Sequence, residues 1–326
     1  MSAKQWRTPF LPKIRRLCRR IKIVTILPCN VEQRRNCMLI SKQNSVIEQP
    51  AMTPAGTAML HKRQRMTPQL AHSFGKHGQA DLHMHSTYSD GSGTIKEILE
   101  HVQHNTNLDV IAITDHDVIE GSLRARDLWQ QGSYRFDFIV GEEISTKEGH
   151  LLALFIEKRI APGMSMERSI ELIHEQGGLA VIAHPLHRLF RHSCKRAVMD
   201  RIHASKEVWF DGIETWNASF CGIYANQVAM QTNREIYGLA ELGNSDAHAI
   251  NSIGSGHTWF EGKSAQDIRS AIARRMTAPG GKLWDVQDYV DWLRYRMSGR
   301  QAQQAEATVV PLPEKAAQVS SLQQVR

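Results

Sequence analysis

The sequence predicts an α/β fold with a mostly parallel sheet, either open or closed into a barrel. Two observations carry this. From Gln79 to Arg275, short apolar runs rich in β-branched residues alternate with helix-like segments. Ionisable residues also recur just past the C-terminal ends of those runs, where parallel α/β barrels gather their active sites. The chain has 326 residues, enough for one barrel of roughly 250 residues with extensions.

The expected strands are Ala80–His83, Asp109–Thr114, Phe136–Val140, Leu151–Phe155, Leu179–Ala183, Gly212–Thr215, Leu239–Gly243 and Thr258–Phe260. Each is a short apolar run closed by a polar or glycine-bearing turn. The expected helices are Thr94–His104, Ile119–Gln131, Met166–Glu175, Ser193–Ser205, Ala225–Tyr237 and Ala265–Arg275. Thr94 precedes Ile95, Ile98 and Leu99 and has Glu97 three residues on, the pattern of a capping box. From Trp284 to Met297, large apolar residues recur at helical intervals and predict an amphipathic helix over 281–298, docked on the body. Beyond Gly299 the periodicity is lost, and 299–326 reads as a disordered tail.

Charge divides the chain. Residues 1–80 hold 15 Lys and Arg against Glu32 and Glu48 alone, whereas residues 81–326 hold 25 basic and 31 acidic residues. The net charge of +7 therefore belongs to a basic leader, read as residues 1–78 and as disordered by composition, and not to the body over 79–280. The leader's apolar run, Ile21 to Leu27, is far shorter than the roughly 20 residues a membrane span needs. Cys18, Cys29, Cys37, Cys194 and Cys221 are odd in number and show no CxxC spacing, so they read as reduced thiols of a cytoplasmic protein.

The chemistry concentrates at the strand ends. His83 and His85 close the first run, and being two residues apart on a strand they face the same side. Asp90 follows in a glycine-bearing turn. Asp115, His116 and Asp117 follow "VIAIT"; Glu142 and Glu143 follow "FIVG"; His184 follows "LAVIA"; Asn217 follows "GIETW"; Asp246 and His248 follow "ELGNS". A lone histidine or aspartate is usually a turn former or a hydrogen-bonded structural residue, and His101, His104, His174, His203 and His257 fit that description. A whole set of imidazoles and carboxylates in one register points instead to divalent metal. Such donors suit Mn²⁺, Fe²⁺ or Zn²⁺ without choosing among them.

Taken in order, "DLHMHSTYSDG", "ITDHD", "GEEIS" with "GHLLALF", "AHP" and "GNSDAH" resemble the successive motifs of the PHP phosphoesterases, the polymerase and histidinol phosphatase superfamily. The resemblance runs from about Ala80 to Glu261. It implies a distorted (β/α)7 barrel holding up to three divalent ions. His83, His85 and Asp246 would hold the first ion, and Glu143 would bridge it to a second completed by His150 and His184. Asp90, His116 and His248 would hold the third, and Glu142 is the fallback for Glu143. His83, His85, Glu143, Asp246 and His248 would form the catalytic centre, with hydroxide held between metals attacking phosphorus.

A phosphate also needs cationic donors. After His184, "HPLHRLFRHSCKR" supplies His187, Arg188, Arg191, Lys195 and Arg196, of which Arg188 and Arg191 are the best candidates to grip it. Asn217 could orient substrate or a metal-bound water. The motif wording is nearest the nucleotide and short-oligonucleotide branch, which includes nucleotidases and exonucleases. That branch often inserts a cap after "AHP", yet only 25 residues separate Pro185 from Asp211 here. The expected substrate is thus a small phosphate monoester, a nucleotide or the 5′ end of a short oligonucleotide, with no membrane partner. Three rivals remain: a histidinol-phosphate type of small-molecule phosphatase, an amidohydrolase-like barrel, and a metal-stabilised nucleic-acid-binding module that relies on the leader. Deleting residues 1–75 separates the last from the enzymes, because only a binding module would lose salt-dependent affinity.

Overall fold

The computed structural model describes residues 77–188 and 190–297. The expected leader and tail lie outside these residues, apart from His77 and Gly78, which already belong to the first strand.

Nine strands form one sheet in the order β7-β6-β5-β4-β3-β2-β1-β8-β9. They are β1 (His77–Asp81), β2 (Val110–Ile113), β3 (Asp137–Thr146), β4 (Gly149–Leu154), β5 (Leu179–Ile182), β6 (Gly212–Asn217), β7 (Ala240–Asn244), β8 (Gly256–Glu261) and β9 (Thr277–Gly281). The first seven build the barrel. All run parallel except β4, which reverses between β3 and β5. The hairpin between β3 and β4 replaces one crossover helix, and this is the distortion of the (β/α)7 pattern. β8 and β9 add an antiparallel pair beyond β1. The sheet nearly closes where the ends of β1 and β7 meet: Met84 bridges Ala247, the His85 N–H donates to the Ala247 carbonyl at 2.9 Å, and Leu82 N–H donates to Asn244 Oδ1 at 2.9 Å.

Helices pack against the sheet: α1 (Ile95–Asn105), α2 (Glu120–Gln131), α3 (Met166–Glu175), α4 (Arg196–Ser205), α5 (Gly222–Thr232, prolonged by a π turn to Tyr237), α6 (Ala265–Arg274) and α7 (Val286–Met297). Thr94 makes the expected capping box with Glu97, and Ser264 makes a second with Asp267. Ser165 caps α3 through the Arg168 N–H.

The wholly buried strands β2, β4 and β5 read as continuous apolar runs because both of their faces are covered. Alternate residues serve different layers. Ile111, Ile113, Leu151, Ala180 and Ile182 pack in one cluster with Ile98, Leu99, Ile170 and Ile202 of the outer helices. Val110, Ala112, Leu152, Leu154 and Val181 point the other way, into a cluster joined by Ile268, Ala271 and Ile272 of α6. That interior packing leaves polar side chains at the strands' C-terminal ends. No helix among the described residues is long and apolar enough to cross a membrane.

Two differences from the expected elements matter for the site. β3 runs on to Thr146, well past Val140, so Glu142 and Glu143 are strand residues and not loop residues. Strand alternation then sends them opposite ways. β9 was not expected from "TAPGG", and its Pro279 is tolerated because β9 is an edge strand of the sheet.

Candidate metal centre

All nine expected ligands converge. Their donor atoms form four overlapping groups, each within 4.8 Å: His83, His85 and Glu143; His83, His184 and Asp246; His116, Glu143 and His150; and His85, Asp90, His116 and His248. Five imidazoles make a circuit and the sixth, His248, branches from it, with ring centroids 5.2 Å apart for His83 and His85, 4.5 Å for His85 and His116, 5.0 Å for His116 and His150, 5.3 Å for His150 and His184, 5.6 Å for His184 and His83, and 4.2 Å for His85 and His248.

Glu143 sits at the middle, fully buried, with its two oxygens facing different partners. Oε1 lies 2.7 Å from His150 Nδ1 and 3.0 Å from His184 Nε2. Oε2 lies 3.1 Å from His83 Nε2, 3.3 Å from His85 Nε2 and 3.0 Å from His116 Nδ1. Asp246 Oδ1 closes the first group, 3.4 Å from His83 Nε2 and 3.2 Å from His85 Nε2. Asp90 Oδ1 anchors the outer group, 3.1 Å from His248 Nε2 and 3.7 Å from His116 Nε2. Glu142 faces away, accepting the Ile160 N–H at 3.0 Å, so only Glu143 of the pair reaches the cluster.

The donor set fits divalent ions. Ligands held about 2.1 Å from one ion, at angles between octahedral and tetrahedral, lie roughly 3.0–3.4 Å apart, which matches the separations around Glu143 Oε2 and Asp246 Oδ1. His83 Nε2, Glu143 Oε2 and Asp90 Oδ1 are buried and make no hydrogen bond, although each faces the others of its group. Buried groups of this kind need a cation or protons between them. In the metal-free state protons fill that role. Burial opposes charging His83, but Glu143, Glu214 and Asp246 outweigh it and raise its pKa well above the ordinary value. Burial likewise opposes Glu143 ionising, yet His83, His116 and His150 hold its carboxyl well below the usual range. His248, against burial, is raised to about 9 by Asp90 and Asp246.

A surrounding shell orients these ligands, and sequence reasoning missed much of it. Glu214 on β6 is buried and places Oε1 2.8 Å from His83 Nδ1. A carboxylate only accepts, so Nδ1 carries the proton and the Nε2 lone pair points into the cluster. Glu214 Oε2 also accepts the His184 N–H at 2.7 Å. Ser219 donates its hydroxyl to Asp246 Oδ2 at 2.9 Å. Asn217, expected to meet substrate or a metal-bound water, is buried, and its amide donates to both Glu214 and Asp246 at 3.2 Å. Asp115 clamps the loop after His85 by accepting from Ser86 and Ser89. Asp117 accepts the Ser145 N–H beyond Glu143. His184 and Asp246 both sit at positive φ, 26° and 51°, a conformation that costs roughly 1–3 kcal/mol and is held by this network.

The rim residues after His184 fall into two groups. Arg188, Arg191, Lys195 and Arg196 are exposed, and Arg196 is paired with Asp200 at 2.8 Å. His187 is buried, with its ring against Phe190. His192, not singled out from sequence, lies tilted against His150 with centroids 4.8 Å apart. Across the site, Trp284 donates its indole N–H to the Ser245 carbonyl at 2.9 Å, and Arg296 of α7 reaches Asp90 Oδ2 at 3.1 Å. No local signal in the sequence pairs residues 206 positions apart.

Comparisons with known proteins agree with this fold. The PHP domain model matches residues 81–226 and the PHP-associated model residues 224–277. An uncharacterized protein of Methanocaldococcus jannaschii is 34% identical over 163 residues, covering 47% of this chain and 89% of that one. A phosphoribosyl 1,2-cyclic phosphate 1,2-diphosphodiesterase of Eggerthella lenta is 33% identical over 84 residues, covering 24% and 31%. Among solved structures, a two-domain protein of Bacteroides vulgatus containing a predicted PHP-like metal-dependent phosphoesterase matches with a TM-score of 0.52 at 19% identity, covering 68% of this chain and 70% of that one.

Proposed function

Because this chain belongs to the PHP domain family of metal-dependent phosphoesterases, we propose that it hydrolyses phosphate monoesters of small molecules or nucleotides, or the 5′-terminal phosphate of short oligonucleotides. The observation that carries the reading is Glu143: each of its oxygens faces a separate set of imidazoles, the arrangement a carboxylate needs to bridge two ions. His83, His85 and Asp246 would hold the first ion, His150 and His184 the second, and Asp90, His116 and His248 a third.

When bound, such ions lower the pKa of water, supply a nucleophile at neutral pH and neutralise charge on the phosphoryl oxygens. The chain's own residues do the rest. Glu214 fixes the His83 tautomer, and Asn217 and Ser219 restrain Asp246. Asp115 holds the loop between His85 and Asp90. The imidazole and carboxylate walls leave the reacting phosphate as the principal anion to be accommodated. The compact stretch between Pro185 and Asp211 leaves no room for a large cap, so the site stays open to small esters and to the 5′ end of a short oligonucleotide.

The test is phosphate release by the metal-loaded full-length protein with Mn²⁺, Fe²⁺ or Zn²⁺. The panel comprises mononucleotides, 3′,5′-bisphosphonucleotides, histidinol phosphate, a 5′-phosphorylated short RNA and a cyclic phosphodiester, with Asp246→Ala as blank. Turnover by wild type alone supports the reading and ranks the substrates. A metal-loaded protein that turns over none of them overturns it. The cyclic diester is included because of the local likeness to the Eggerthella lenta enzyme.

A further inference from the structure

The sequence directs attention to arginines after His184, but the guanidinium that meets the cluster comes from the other end of the chain. Arg296 Nη1 lies 3.1 Å from Asp90 Oδ2. Among the described residues, this is the ion pair that joins a Lys or Arg to one of the nine candidate ligands. The helix that delivers it is anchored where it begins. The Trp284 indole N–H donates to the Ser245 carbonyl, and the Trp284 backbone N–H donates to the Ala218 carbonyl at 2.8 Å. Trp284 and Trp292 then lie 6.1 and 6.3 Å from His248, and Trp292 holds the Arg296 guanidinium 5.3 Å above its ring.

Asp90 divides its labour. Oδ1 faces His248, His116 and His85, while Oδ2 takes the guanidinium from outside. Arg296 therefore does not stand in the ligand position itself. A guanidinium has five N–H donors in a rigid fork, and one contact to Oδ2 leaves most of them for another acceptor. The side chain is 44% exposed, so an incoming anion can reach it.

Charge decides what that acceptor is. Asp90, Glu143 and Asp246 supply three negative charges, and two or three divalent ions would exceed them. Asp90 already lies between the guanidinium and that cluster, and an oxyanion bound to the free N–H groups would offset the remaining positive charge. An oxyanion is also what an arginine fork matches geometrically.

We propose that Arg296 is the phosphate-recognising residue of this site, spanning Asp90 and a phosphoryl oxygen of the substrate, and that α7 carries this specificity element to the metal centre. The assignment rests on the phosphoesterase reading above. It names a terminal, doubly charged phosphate as the preferred group, since an extra cation at the rim rewards the extra charge.

The experiment uses the full-length protein loaded with Mn²⁺. Metal content is measured by mass spectrometry, the affinity for inorganic phosphate by calorimetry, and the kinetics with phenyl phosphate. In Arg296→Gln, metal content should stay at the wild-type level while phosphate binding weakens roughly 10- to 100-fold. KM should rise by a similar factor and kcat should change less. Arg296→Lys should recover part of the affinity, because it keeps the charge and loses the fork. Equal phosphate affinity in wild type and Arg296→Gln at equal metal content overturns the assignment and leaves Arg296 a packing residue. Loss of metal in Arg296→Gln also overturns it, because Arg296 would then act by orienting Asp90. Wild-type protein that holds metal but neither binds phosphate nor cleaves the ester sinks the phosphoesterase reading itself, a result visible without any variant.

Discussion

Glu214→Gln should weaken metal binding more than any other change of one charge outside the ligand set. Four donors converge on the Glu214 carboxylate: His83 Nδ1 at 2.8 Å and the Asn244 amide at 2.8 Å on Oε1, and the His184 N–H at 2.7 Å and the Asn217 amide at 3.2 Å on Oε2. A glutamine has one accepting oxygen, so its amide must face two of these donors and satisfy neither. Two buried donors without acceptors cost about 1–3 kcal/mol each, or about 2–6 kcal/mol of folding stability. The lost grip on His83 should reduce metal affinity about 10- to 100-fold, or about 1.4–2.7 kcal/mol. Chelator competition with Zn²⁺, performed at a temperature where circular dichroism shows both proteins folded, reads the second quantity, and thermal melts read the first. Glu142→Gln is the control, because Glu142 is equally buried and adjacent to Glu143 yet faces away from the cluster. If Glu214→Gln binds metal as tightly as Glu142→Gln, the tautomer argument is wrong.

Three further outcomes follow from the same geometry. The metal-free protein should lose thermal stability as pH rises from about 6.5 to about 9, because His83, His184 and His248 all have pKa values raised in the fold. A raised histidine stabilises fully below its unfolded value and loses that contribution as pH passes its folded one. His85, lowered to about 3 by burial and by His248 and His116, acts only below 6.5 and does not reverse the trend in this window. The ligands of the metal-loaded protein carry no such protons, so its melting temperature should hold over the same range; a metal-free curve that is flat or rising would contradict the assignment. Gly91→Ala should displace the turn bearing Asp90, since an added Cβ would lie 2.1 Å from the His85 carbonyl oxygen. Metal analysis should then find the ion at Asp90 lost first, and unchanged stoichiometry and affinity would count against that turn as a determinant. Trp284→Phe keeps the packing but strands the Ser245 carbonyl, and should cost about 1–3 kcal/mol in denaturant unfolding; a change within a few tenths would mean water replaces the indole.

What the sequence disclosed and what it hid follow one physical rule. Most of the candidate ligands were legible because they stand beside an apolar run, and a polar group that interrupts or ends a buried strand is costly unless something pairs with it. His83, His184 and Asp246 each stand out on that ground. The parallel barrel was legible because alternating strand and helix lengths leave few other ways to cover both faces of the sheet. Glu214 stayed hidden because a glutamate in "GIETW" reads as the solvent face of a half-buried strand, and only closure of the sheet turns that face inward onto His83. Glu143 was preferred to Glu142 only through the family motif "EIS", because the strand-end reading covered both; the hairpin with β4 extends β3 through them, and strand alternation turns Glu143 alone toward the cluster. β9 was lost to a proline that an edge strand can carry. Arg296 is the extreme case. Its partner lies 206 residues away, and the helix that presents it carries Leu293 and Met297 exposed, so its apolar spacing advertises a core face that the fold only partly uses. Local pattern therefore reports the groups whose burial would be costly alone, and it is silent on groups whose role is set by a distant partner, which is where a rim residue that tunes substrate choice is placed.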